Sequence, residues 1–105
     1  MMRPEQIQDI LSLYAKYNWK LRKVLLTPKL KKHLAEAVET LFNSVEIIEA
    51  EVDAVWFSRA SGDEKEAWEL RRLSETPYAL FEVFEAEDEE EVREEIRHEM
   101  EAKLL

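Results

Sequence analysis

Val55-Trp56-Phe57-Ser58-Arg59-Ala60-Ser61-Gly62-Asp63-Glu64-Lys65, followed by Ala67-Trp68-Glu69-Leu70-Arg71-Arg72-Leu73, is the stretch that decides the fold. Its first half is rich in β-branched and aromatic residues, its middle holds the only glycine of the chain, and its last part alternates apolar with polar. That order reads as a hairpin, with strands over residues 52–59 and 67–73. Val45, Ile48, Val52, Val55 and Trp56 also fall at helical spacings, which leaves residues 45–52 open between helix and strand.

Downstream, Ser74-Glu75-Thr76-Pro77 is a second turn and Tyr78-Ala79-Leu80-Phe81-Glu82-Val83-Phe84 a third strand, so the centre reads as a three-stranded antiparallel meander. The last element, Glu87 to Leu105, is a helix. Acids crowd its first turns, where the helix dipole favours them, Asp88 and Glu91 have the spacing of a capping box, and Val92, Ile96, Met100 and Leu104 make a narrow apolar stripe.

Upstream, Pro4 suits a first helical turn, and Ile7, Ile10, Leu11, Tyr14, Tyr17, Leu21, Val24 and Leu25 recur at spacings of three and four. Asn18 leaves open whether this is one helix or two. Thr27-Pro28 is an N-cap followed by proline at the first helical position, opening a second helix that buries Leu30, Leu34, Val38, Leu41 and Phe42. The expected fold is α+β in the order α-α-β-β-β-α, a single domain over residues 1–105.

Trp56, Trp68, Leu70, Tyr78, Leu80 and Phe84 share one face of the meander. Val55, Phe57, Ala67, Phe81 and Val83 share the other, with Arg59, Glu69 and Arg71. A sheet with one wet face should alternate cleanly, so two partly apolar faces imply two covers. If the helices lie on one side, the other side is left for a second copy or another protein. Phe57, Arg59, Glu69, Arg71, Phe81 and Val83 are the candidate interface, with Arg59 and Arg71 expected to form cross-strand ion pairs with Asp53 and Glu69.

The formal net charge of −9 argues against general affinity for nucleic acid. It is unevenly spread: residues 1–33 carry +6 and residues 34–105 carry −15. Lys16, Trp19, Lys20, Arg22, Lys23, Lys29, Lys31 and Lys32 form a candidate basic patch with an aromatic inside it, suited to phosphates and a stacked base or to the acidic final helix.

Without cysteine there is neither a disulfide framework nor a thiolate metal site, and one glycine cannot form a Gly-rich phosphate loop. Glu95-Ile96-Arg97-His98 has the spacing of a helical carboxylate-histidine pair, but its nearest partner, His33-Leu34-Ala35-Glu36, runs in reverse order. No cofactor and no catalytic group is expected. Nor is a membrane span or an export signal, which makes the cytoplasm the expected location. The expected role is a small acidic protein-binding or regulatory module, acting as a homodimer. The alternatives are nucleic-acid association through the basic first third and a small-molecule binder or enzyme with a pocket between helices and sheet.

Overall fold

The computed structural model describes residues 1–105. Helix α1 (Pro4–Lys16) starts on Pro4, and the Arg3 backbone N–H donates to Gln6 Oε1 at 2.8 Å. It ends at Lys16, and just beyond the cap at Tyr17 the chain turns away at Asn18, whose φ of +68° is one that asparagine tolerates better than most residues. The helical pattern does not resume. Lys20–Leu26 is strand β1, which corrects the helical reading of Leu21, Val24 and Leu25.

The cause of that misreading is local. Leu21 pairs with Phe57 and Lys23 with Trp56, leaving Arg22 as the extra residue of a β-bulge. The bulge turns a spacing of two into a spacing of three, so Leu21 and Val24 reach the same face. Leu25 is buried on the opposite side, completing an apparent helical pattern in a strand.

Thr27 and Pro28 open α2 (Pro28–Leu34), with the Leu30 N–H donating to Thr27 Oγ1 at 3.2 Å. The single second helix expected here is two, because the chain breaks at Ala35 (φ +49°) before α3 (Ala37–Phe42). Beyond Asn43 the ambiguous segment contains a short strand, β2 (Ile47–Glu49), parallel to β1 with Ile47 opposite Val24. Strands β3 (Ala54–Ala60), β4 (Glu66–Arg72) and β5 (Ala79–Phe84) follow, each antiparallel to its neighbour. The sheet is therefore five-stranded and mixed, in the order β2-β1-β3-β4-β5, and not a three-stranded meander.

Helix α4 (Glu90–Ala102) closes the chain. Asp88 and Glu91 do not form the expected capping box; Asp88 Oδ2 accepts from the Glu85 N–H at 2.8 Å and so ties off the end of β5. Val92, expected in the buried stripe, is exposed, while Arg97, Met100 and Leu104 are buried against the sheet.

Each face of the sheet carries its own core. Val24, Leu26, Val55 and Phe57 pack with Ile7, Leu11, Leu30, Leu34, Val38 and Phe42 on the side of α1, α2 and α3. Leu25, Ala54, Trp56, Trp68, Leu70 and Phe84 pack with Met100 and Leu104 of α4 on the other. Ala54 to Ser58 are buried in succession, which is why this central strand reads as an apolar run without alternation.

Candidate interaction surface at the open end of the sheet

The N-terminal helices pack chiefly on β1 and on each other, and at the β4–β5 end of their face Ala79 and Phe81 are exposed. Side chains alternate along each strand, so this open end presents Glu69 and Arg71 from β4 and Ala79, Phe81 and Val83 from β5. Phe81 is 55% exposed; Glu69, Arg71 and Val83 are half-buried and Arg59 is exposed. Phe57 is the correction within the predicted set. Only 1% exposed, it lies beneath α1, where the Tyr14 ring stacks on it at 4.0 Å between centroids, and it cannot contact a partner.

An aromatic row runs from that buried ring to the surface. Tyr14 stacks on Phe57, Trp19 meets Tyr14 edge-on at 6.1 Å, and Phe81 meets Trp19 edge-on at 6.4 Å. Arg59 places its guanidinium 4.5 Å from the Trp19 ring centroid and donates from Nη1 to the Tyr17 carbonyl at 2.8 Å. The expected ion pairs of Arg59 and Arg71 with Asp53 and Glu69 are not formed. Glu69 accepts the Tyr14 hydroxyl, and Asp53 Oδ1 accepts the Thr27 N–H at 2.7 Å. Burial, and then the hydrogen bond to Glu69, push the Tyr14 phenol well above its usual range.

The eight residues of the basic set do not share one surface. Lys20 and Leu26 stand at opposite ends of β1, about 20 Å apart, and Lys29, Lys31 and Lys32 follow beyond Leu26 on α2. Lys23 pairs with Glu94 at 3.9 Å, Lys16 lies 5.9 Å from the Tyr17 ring centroid, and Trp19 belongs to the aromatic row. Lys20 and Arg22 instead join Arg59 around an open cleft of about 560 Å³ that Asn18, Ser58, Ser61 and Glu66 complete. Glu66 is itself engaged by Trp68 Nε1 at 2.6 Å and Arg93 at 3.3 Å.

His98 Nε2 lies 3.2 Å from Glu94, not from the Glu95 that the spacing suggested, and no three His, Asp or Glu side chains come together to hold a metal ion. No helix is long and apolar enough to cross a membrane.

Two side chains outside the predicted set tie helices to the sheet, one on each face. Tyr14 couples α1 to the open face. Arg97 lies buried between α4 and the sheet, its guanidinium 4.4 Å from the Trp68 ring centroid and bonded to Glu90 and Glu94. The sequence signal for Arg97 is the pair Arg93 and Arg97, each one residue after Val92 and Ile96 and leading at helical spacing onto Met100 and Leu104.

The sequence matches no protein-family model, no curated protein and no solved structure.

Proposed function

We propose that this chain is a protein-binding module, that its partner is a second copy of itself, and that the contact surface is the open end of the sheet around Phe81. The supporting observation is the aromatic row from Phe57 to Phe81, which ends in an exposed ring on the last strand of the sheet. A ring held from beneath by Trp19 loses little side-chain freedom on binding, which favours it as an anchor. Half-buried Val83 and the charged Arg59, Arg71 and Glu69 surround it, giving the apolar centre and polar rim of a protein contact. The activity assigned to this surface is binding and not bond-making.

Light scattering over a concentration series tests the reading. The expected result is a mass near 25 kDa, about twice the 12.5 kDa of one chain, falling toward one chain on dilution and in Phe81→Asp. Such a charge placed within a desolvated contact opposes association. A mass of one chain at every concentration overturns self-association.

A further inference from the structure

The way two copies meet follows from which backbone groups β5 leaves free. Arg72 N–H donates to the Tyr78 carbonyl at 2.9 Å, so these opposed residues are a hydrogen-bonded pair. Antiparallel ladders alternate, so Leu80, Glu82 and Phe84 also turn their N–H and C=O groups toward β4. Ala79, Phe81 and Val83 turn theirs outward. The same alternation counted from Leu73, whose N–H donates to Asp53, gives β4 the complementary pattern.

The free edge is bounded at both ends. Beyond Val83 the next outward N–H, that of Glu85, is taken by Asp88. Before Ala79 the next outward position is Pro77, which has no N–H. Three residues remain, and the strand bears none of the lysines or prolines that blunt an edge.

We infer that two copies pair antiparallel along β5 with Phe81 on the two-fold axis, joining their sheets into one of ten strands. This rests on the self-association proposed above and adds its register. In this register Phe81 opposes Phe81 of the partner subunit, Ala79 opposes the partner's Val83, and Val83 opposes the partner's Ala79. Each is a hydrogen-bonded pair, so every free group of the edge is used. A shift placing Glu82 on the axis uses fewer of these groups and sets two carboxylates directly opposite each other. A shift placing Leu80 on the axis sends Val83 against the partner's Pro77, and an odd shift turns each side chain to the wrong face. In the inferred register Glu82 opposes the partner's Leu80, and the two Phe81 rings lie side by side on the open face, each backed by its own Trp19.

The chain has no cysteine, so introduced ones report the register directly. Phe81→Cys places two thiols on strands about 5.5 Å apart at Cα, within disulfide reach. An equimolar mixture of Ala79→Cys and Val83→Cys keeps Phe81 and brings the two different cysteines together. Ala79→Cys alone leaves its two copies about 14 Å apart. The expected result under mild oxidation is a covalent dimer for Phe81→Cys, a covalent heterodimer for the mixture and none for Ala79→Cys alone. Val83→Pro removes an outward N–H without touching the β4 ladder. It should weaken the dimer by about 30-fold or more while circular dichroism stays that of the parent. A dimer that survives Val83→Pro unchanged, or that cross-links in another pattern, overturns the register and leaves self-association standing. A chain that never associates overturns both.

Discussion

The Tyr14 ring lies flat on Phe57, 4.0 Å away and 7° from parallel, and its hydroxyl donates to Glu69, so a single side chain of α1 fastens both β3 and β4. The stack and the hydrogen bond are separable. Tyr14→Phe keeps the first and loses the second, at an expected cost of about 1.5 kcal/mol in urea unfolding, since the acceptor is a carboxylate. Tyr14→Leu loses both and should cost more.

The same pair sets an alkaline response. The phenol is raised in the folded chain, first by burial and then by Glu69, so the folded state holds this proton more tightly than the unfolded state does. Its contribution is complete below about pH 10 and is lost as pH rises from there toward the folded value. Spectrophotometric titration should find one tyrosine that ionises only as the protein unfolds. Tyr14→Phe should abolish that late phase.

Arg97 governs the acid side. Its hydrogen bond holds the Glu94 carboxyl below its ordinary value of 4.5. The stabilisation from Glu94 is complete above that value and is lost as pH falls from there through the lowered folded value. Glu94→Gln should therefore flatten the loss of stability that the parent chain shows in acid unfolding below the ordinary value. Arg97→Ala also removes the guanidinium from Trp68 and Phe84, and should cost about 2 kcal/mol, mostly in packing, because both carboxylates stay open to water. Arg97→Met should cost less, since it refills the space and removes Nη1, which is buried without a hydrogen-bond partner.

Ala35 sits between α2 and α3 at φ +49° and ψ −120°, a region suited to glycine and strained for alanine. Ala35→Gly should raise stability by about 1 kcal/mol, seen as a higher urea midpoint at unchanged slope. Ala35→Val should lower it. The strain also explains why the sequence reads as one helix here. Leu30, Leu34, Val38 and Leu41 keep helical spacing across the break, and alanine gives no sign of a stop.

Other parts of the fold were legible where sequence pattern and structure obey the same period. The two hairpins of β3, β4 and β5 follow from β-forming runs separated by turn residues, and the division of their side chains between two faces follows from alternation. Within the open face, Arg59, Glu69, Arg71, Phe81 and Val83 come from that alternation, whereas the burial of Phe57 depends on Tyr14, which no strand pattern reveals. That β5 is an edge strand was already implicit in the meander, whereas which of its backbone groups stay free depends on the β4–β5 ladder and on Asp88 taking the Glu85 N–H.

The bulge at Arg22, which gives β1 its helix-like spacing, is open to a sharp test. Removing one residue from a strand ordinarily turns all that follows to the wrong face. At Arg22 the reverse holds: Leu21 already opposes Phe57 and Lys23 already opposes Trp56, so deletion joins two segments that are in register and leaves a regular ladder. The expected loss is confined to the Arg22 guanidinium, 5.3 Å from the Trp68 ring centroid, and to the local twist, about 1 kcal/mol in total. Deleting Glu69 from β4, which pairs without irregularity on both sides, should unfold the chain, because one flank of the strand must then turn its buried residues outward. Urea unfolding of the two deletions decides the matter. If removal of Arg22 is as damaging as removal of Glu69, β1 does not carry its extra residue there.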